Sequence, residues 1–458
     1  MLKEQIFKAN DIRGVVTGAN PELDLDGARR LGAAFVDLLG LSGETFVTGR
    51  DMRQLGEELA MAFADGARRA GASIIHLGLT STDLLWFGSG HLGLPGVQFT
   101  ASHNPARYNG MKFCLAGASP VHSDFTADLR ERAKTVSIGD KVVGDYEERD
   151  LTADFVAHLD RLMPVAGKRR IKVVVDAGNG MGGLIVPAVL ADRNVELIGL
   201  YMEPDGTFPN HPANPLEPEN LVDACSAVRE HSADLGLVFD GDADRCFLID
   251  ERGEVVDPSV ITAMIAVAEL SKETGGVVVV NAITSQAVAD AVAGLGRVEV
   301  SRVGHTFVKA FMASENAIFG GEHSAHYYFR DFWGADTGVL AALHILEQLR
   351  TSTEPLSALA ARFDGYRRSG EINSTVTDHR AVMERVAEAF EGRGDVEYWD
   401  GLTIRDEQAG WWINLRPSNT EPLLRLNVEA RDAATMARLR DEVLTLVRGE
   451  EGENENDD

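Results

Sequence analysis

Four stretches of this chain gather side chains able to handle a phosphate, a metal ion or a sugar. In Thr100-Ala101-Ser102-His103-Asn104-Pro105 a hydroxyl stands next to an imidazole, and Lys112 follows at the exit of the same polar segment. Pro105 fixes the backbone after the serine, and Asn109-Gly110 predicts a tight turn. No Gly-Xaa-Ser-Xaa-Gly elbow surrounds Ser102, so an activated-serine hydrolase has no support. A serine carrying a phosphate fits better. Asp240-Gly241-Asp242-Ala243-Asp244-Arg245 sets three carboxylates at alternate positions. Oxygen-only ligands suit a hard cation such as Mg²⁺, and Arg245 adds a clamp for a phosphate or leaving group. Taken singly, the same spacing also describes a solvated acidic turn.

The third stretch, Gly320-Gly321-Glu322-His323-Ser324-Ala325-His326, mixes an acceptor, a hydroxyl and imidazoles, a combination suited to sugar hydroxyls. Gly304-His305 lies in a comparable position upstream and is expected to face the same pocket. The fourth, Arg416-Pro417-Ser418-Asn419-Thr420-Glu421-Pro422, is read as a donor-rich loop fit for a phosphate. Asp11-Ile12-Arg13-Gly14 adds an isolated arginine near the start. Each of these also reads, alone, as an ordinary turn. No Gly-rich loop ending in Gly-Lys-Ser/Thr is present, so an ATP donor held by a P-loop is unsupported. Gly178-Asn179-Gly180 lacks dinucleotide spacing.

The elements that must position these loops follow a repeated order of strand, polar loop and helix. Helices are predicted at about 23–39, 55–70, 124–134, 152–162, 219–230, 259–269, 337–349 and 433–447 from apolar periodicity and capping residues. Strands are predicted at 45–48, 73–77, 96–99, 113–115, 171–176, 235–239, 277–280 and 317–319. The serine, aspartate and glutamate loops each follow a short apolar strand, where open α/β sheets place ligand chemistry. This implies three similar α/β units with mixed sheets and a smaller, different α+β unit. Their expected limits are 1–147, 148–253, 254–364 and 365–449, with an acidic, solvated tail at 450–458. The charged connection from Asp140 to Asp150 is expected as the first boundary.

Bulk properties narrow the class. A chain of 458 residues, 44% hydrophobic and 25% charged, is that of a multidomain globular protein. Its net charge of −27 argues against a nucleic-acid partner, while leaving room for a phosphorylated small molecule held by local basic groups. The three cysteines, Cys114, Cys225 and Cys246, lack metal-ligand spacing. A reduced cytoplasm is expected, with neither a leader nor a membrane span.

Taken in order, Thr-Ala-Ser-His-Asn-Pro, Asp-Gly-Asp-Ala-Asp-Arg, Gly-Glu-Xaa-Ser-Ala-His and Arg-Pro-Ser-Asn-Thr-Glu-Pro strongly resemble the α-D-phosphohexomutase family. The match covers essentially the whole chain apart from the acidic tail. The resemblance implies three related α/β domains and a distinct fourth around a central active-site cleft. It implies a phosphoserine at Ser102 bound to Mg²⁺ with Asp240, Asp242 and Asp244. Glu322 and Ser324 would bind sugar hydroxyls, and Arg416, Ser418, Asn419 and Thr420 the unreacting phosphate. Arg13, His103, Lys112, Arg245, His305 and His326 fall at positions matching active-site residues of the bacterial phosphomannomutase/phosphoglucomutase enzymes. Asn10 departs from the family, where a tyrosine often precedes Asp-Ile-Arg-Gly.

Within the family, Ser-Asn-Thr-Glu-Pro and Gly-Glu-His-Ser-Ala-His-Tyr-Tyr-Phe-Arg-Asp-Phe look like the phosphomannomutase branch. The expected reaction is mannose 6-phosphate to mannose 1-phosphate through a hexose 1,6-bisphosphate that serves as intermediate and activator. Glucose phosphates are the runner-up or second substrate. Lys112 is expected as the general base, on condition that Arg13 or burial lowers its pKa, with His326 second. A monomer or homodimer is expected. Readings from other classes are a phosphatase built on the Asp240 loop and a non-catalytic sugar-phosphate binder.

Overall fold

The structure, a computed structural model, describes residues 2–9, 11–418 and 423–449. Asn10, Asn419, Thr420, Glu421, Pro422 and the acidic tail at 450–458 lie outside the described residues.

Three mixed sheets repeat one strand order. In the first, Thr45–Arg50 is flanked in parallel by Ser73–Leu79 and Gly96–Phe99; Tyr108–Cys114 then runs antiparallel to Gly96–Phe99, and Ile12–Val15 to Tyr108–Cys114. In the second, Ile171–Asp176 takes the central place, with Val195–Leu200, Leu235–Phe239, Cys246–Asp250 and Val255–Val256 in the corresponding positions. In the third the central strand is Val277–Asn281, flanked by Arg297–Ser301 and by Phe319–Gly321, Tyr327–Phe329 and Ala335–Asp336. The central strands are rich in β-branched residues and buried, as expected where helices cover both faces. The fourth sheet is antiparallel and built on Trp411–Pro417 paired with Leu423–Ala430.

This shared order puts a hairpin loop at the end of the same strand in each of the three sheets. The serine loop joins Gly96–Phe99 to Tyr108–Cys114, the aspartate loop Leu235–Phe239 to Cys246–Asp250, and the glutamate loop Phe319–Gly321 to Tyr327–Phe329. Each loop turns at a non-glycine residue in the left-handed region: Ser102 (φ 49°), Ala243 (φ 61°) and Ala325 (φ 63°). Such backbone is costly for residues with a Cβ and persists where surrounding contacts enforce it.

Local chemistry explains the helix ends. Leu25–Leu39 starts at Asp24, whose side chain accepts from Gly27 N, and stops at Gly40 with φ 66°. Thr82–Leu92, which the apolar periodicity does not reveal, begins at Ser81, whose hydroxyl caps Leu84 N. No helix among the described residues is long and apolar enough to cross a membrane.

Three expectations need correction. Asn109-Gly110 is not a turn but lies in Tyr108–Cys114, opposite Gly14 and Arg13. Gly110 is required by close approach, because a Cβ there would sit 2.0 Å from Ile12 O. Arg416 and Pro417 likewise end a strand rather than open a loop. Tyr146–Glu148, expected as connection, is the edge strand of the first sheet.

Candidate active site

The loops of all four units meet at one cleft of about 750 Å³. Arg13, Ser102, His103, Lys112, Asp244, Arg245, Gly304, His305, Glu322, Ser324, His326 and Arg416 all line it. Asp240 and Asp242 lie fully buried just behind its surface. Ser418 is described but does not line the cleft, and Asn419 and Thr420 lie outside the described residues.

At the floor, Ser102 Oγ donates to Asp240 Oδ2 at 2.7 Å and lies 3.3 Å from His103 Nδ1. Arg245 Nε and Nη2 donate to the same Asp240 oxygen at 3.0 and 2.9 Å. The two loops touch through backbone as well. A Cβ at Gly241 would sit 2.5 Å from Ser102 O, so glycine is needed there for the metal-type loop to approach the serine. Arg13 Nη1 donates to Asn104 Oδ1 at 2.6 Å, bringing a cation to the serine side.

Asp240, Asp242 and Asp244 offer carboxylate oxygens all within 4.8 Å of one another. Asp242 Oδ1 and Asp244 Oδ1 are buried without a hydrogen-bond partner among the described residues. Orphaned carboxylate oxygens at this spacing fit a hard divalent cation. Burial and the neighbouring Asp242 charge push the Asp244 carboxyl up to about 7. Asp242 goes the other way: burial would raise it, but the Lys112 ammonium and the Thr82 hydroxyl hold it far below the usual carboxylate range.

Lys112 does not meet the condition set for a general base. Its Nζ donates to Asp242 Oδ2 at 2.7 Å and to Asp244 Oδ2 at 2.5 Å. Burial alone would lower its pKa, yet these two carboxylates reverse that and hold the amine above the ordinary lysine range. His326 is different. Burial lowers its imidazole to about 4, and its Nδ1 lies 3.0 Å from Ser324 Oγ. It is therefore neutral near pH 7 and has a lone pair to offer. His305, pushed by burial to about 4, stacks 6.4 Å from the His326 ring.

In the same loop as His326, Glu322 is held at both oxygens: Asn281 Nδ2 donates to Oε2 at 2.9 Å and Tyr328 OH to Oε1 at 2.5 Å. Arg416 faces Arg425 across paired strands, with Glu371 3.6 and 3.2 Å from the two guanidinium groups. Arg425, Glu371, Arg368 and Asn373 line the cleft but stand in none of the motifs read from the sequence. Strand alternation does not mark them.

The residue most clearly missed is Arg53, which is almost fully buried. Its Nη1 donates to Pro105 O and Tyr108 O at 3.0 Å each, and its Nη2 to Ser102 O at 2.5 Å and Asn104 O at 2.6 Å. One guanidinium thus grips the serine loop by four carbonyls. Asp51 Oδ2 lies 3.4 Å from Arg53 Nε. The signal was available: Asp51-Met52-Arg53 directly follows the central strand Thr45–Arg50, a ligand-side position in α/β sheets.

Comparison with known proteins agrees with this geometry. The chain matches phosphoglucomutase/phosphomannomutase, alpha/beta/alpha domain I over residues 4–138, domain II over 153–253, domain III over 257–366 and the C-terminal domain over 371–446. It is 40% identical over 451 residues to "Phosphohexose mutases" of Xanthomonas campestris pv. campestris, covering 97% of this chain and 99% of that protein. It is 38% identical over 455 residues to a "Phosphomannomutase" of Salmonella montevideo, covering 96% and 98%. A crystal structure of a phosphoglucomutase/phosphomannomutase family protein from Burkholderia thailandensis superposes with a TM-score of 0.88 at 30% identity, over 98% and 99% of the two chains. With its four matched domains, its full-length relatives and a cleft where serine, carboxylates and arginines converge, the chain belongs to the phosphoglucomutase/phosphomannomutase family, as an isomerase of the phosphohexomutase kind.

Proposed function

We propose that the chain interconverts mannose 6-phosphate and mannose 1-phosphate, taking glucose phosphates as a second substrate pair, through a phosphoserine at Ser102. The observation that carries this reading is the placement of Ser102 Oγ, 2.7 Å from Asp240 at the floor of the cleft where all four units meet. Supporting mannose are Ser418-Asn419-Thr420-Glu421-Pro422, Gly321-Glu322-His323-Ser324-Ala325-His326 and the phosphomannomutase name of the Salmonella relative.

In the proposed cycle, the free hydroxyl of a bound hexose monophosphate attacks phosphorus on phosphoserine 102. The Ser102 Oγ–P bond breaks as the sugar O–P bond forms, giving a hexose 1,6-bisphosphate and a serine whose oxygen takes up one proton, matching the one that the sugar hydroxyl gives up. After the bisphosphate turns around, Ser102 Oγ takes back the other phosphoryl group. Glu322 and Ser324 serve as hydroxyl contacts in both orientations, and Arg416 with Ser418, Asn419 and Thr420 as the anchor for the idle phosphate. Arg13, His103, His305 and Gly304 complete the wall. Arg245 and Lys112 offset charge on the transferring group; Mg²⁺ held by Asp240, Asp242 and Asp244 would supply further charge stabilisation there.

The proton of the attacking hydroxyl goes to His326 in this reading, because Lys112 is committed to two carboxylates. A loose phosphoryl-transfer transition state asks little of a base, so a weakly basic imidazole suffices. The same reading includes domain limits near residues 147, 253 and 364, supported by the matched segments 4–138, 153–253, 257–366 and 371–446. A cytoplasmic monomer or homodimer with a small phosphosugar as its partner completes it.

Intact-mass and peptide mass spectrometry, combined with coupled assays on mannose and glucose phosphates, tests the proposal. A phosphate on the Ser102 peptide and loss of turnover in Ser102→Ala are expected. Full activity in that variant would end the phosphoserine reading. Stoichiometric release of inorganic phosphate from mannose 1-phosphate would point instead to a phosphatase, and binding without isomerisation, even with added bisphosphate, to a binder.

A further inference from the structure

The start of helix Thr82–Leu92 stands in none of the motifs that carry the resemblance, yet it is buried against the acidic loop. Ser81, Thr82 and Asp83 are all within about one per cent of complete burial. Thr82 Oγ1 donates to Asp242 Oδ2 at 2.6 Å, and Thr82 N donates to Asp242 O at 2.9 Å. The next residue, Asp83, accepts from Ser81 Oγ at 2.5 Å and from Thr337 Oγ1 of the third unit at 2.8 Å. One turn of a first-unit helix is therefore bonded to the second unit and to the third.

The two oxygens of Asp242 are treated differently. Oδ2 receives both Thr82 Oγ1 and Lys112 Nζ, whereas Oδ1 is buried with no hydrogen-bond partner among the described residues. A carboxylate loaded on one oxygen is fixed in rotamer, with the other oxygen left for a cation. Outer-contact hydrogen bonds of this kind orient metal ligands and commonly account for a 10–100-fold effect on metal affinity. Thr82 suits the task because its hydroxyl is fully buried and already directed at Asp242 Oδ2. The backbone bond from Thr82 N adds a second constraint and uses an amide that the helix itself cannot satisfy.

We infer that Thr82 is a positioning residue for the divalent cation, setting affinity by orienting Asp242 from across the boundary between the first and second units. The inference rests on the reading of Asp240, Asp242 and Asp244 as the cation site. Removing the hydroxyl with little change of shape leaves Asp242 Oδ2 held by Lys112 alone; disturbing the same junction at Thr337 leaves Asp242's own bonds intact. Affinity and stability are thereby separable.

The test is calorimetric titration of Mg²⁺ into chelator-treated full-length enzyme, with thermal melting alongside. Thr82→Val is expected to weaken Mg²⁺ binding by roughly 10–100-fold, and Thr82→Ser to restore it. Thr337→Val is expected to lower the melting temperature with unchanged Mg²⁺ affinity. Thr82→Ala carries the same expectation as Thr82→Val, and is used where near-ultraviolet circular dichroism shows the valine variant to be misfolded. Wild-type affinity in a folded Thr82→Val or Thr82→Ala overturns the inference, as does equal weakening by Thr337→Val. Absence of Mg²⁺ binding in the wild type removes the cation site itself and the inference with it, a different failure from the first two.

Discussion

One side of the first unit joins the second and third in a continuous apolar cluster, beside a core of its own, whereas the fourth unit shares in none of it. One cluster runs from Val47 and Phe87 through Val173 and Phe239 to Ile261 and Leu346. The fourth unit's core, around Val386, Ile413, Leu426 and Val443, is separate. What joins that unit to the rest is largely polar. Asp400 accepts from Val303 N at 2.9 Å, Glu429 from Gln286 N at 2.9 Å, and Tyr366 OH donates to Asp290 at 2.7 Å. Burial of apolar area holds elements in one arrangement, while a polar joint exchanges readily with water and allows relative motion. The serine and the acidic loop are thus held in register by packing as well as by hydrogen bonds, while Arg416 sits on the unit joined through polar contacts.

The largest expected effect breaks the rigid side. Arg53→Leu leaves four serine-loop carbonyls without their donor and Asp51 without its cation. A loss of about 3–5 kcal/mol in urea unfolding is expected, as for other broken buried pairs, together with a fall in kcat of two orders of magnitude or so from the misplaced serine. Unchanged kcat in that variant would show that the serine loop needs no such grip.

Next in size is Lys112. Arginine keeps the charge and does not release a proton in any useful pH range, whereas methionine removes the charge. Lys112→Arg should retain activity within about tenfold, and Lys112→Met should lose a hundredfold or so, if the residue acts as a cation. Near-complete loss in both, with a pH–rate limb missing from the arginine variant, would restore Lys112 as the base.

The smallest effect belongs to the polar joint. Asp400→Ala removes one hydrogen bond worth about 1 kcal/mol, so a severalfold change in KM is expected, with kcat and the main unfolding transition unmoved. A large drop in melting temperature would mean the fourth unit is bound as firmly as the others.

Much of the site was legible because its chemistry is local. Ser102, Asp240 to Arg245 and Glu322 to His326 each sit within a few residues of a strand end, and a short motif carries them. What escaped depends on distant partners. Asn109-Gly110 has the local chemistry of a turn, but pairing with Ile12–Val15 turns it into strand. Helix Thr82–Leu92 is buried all round from Thr82 to Ser89, with polar as well as apolar side chains inside, which erases the period that would mark it. The protonation of Lys112 is set by carboxylates from another unit, and the grip of Arg53 by carbonyls some fifty positions away. A single sequence shows neither.

The ammonium of Lys112 between Asp242 and Asp244 has a consequence for how the units come together. Three buried acids in one loop would repel one another and strain the hairpin that holds them. Lys112 acts as a tethered counterion that offsets part of this repulsion. Docking the first unit on the second and balancing the charge of the acidic loop are thereby one event, because the counterion of one unit's acids is a strand residue of the other.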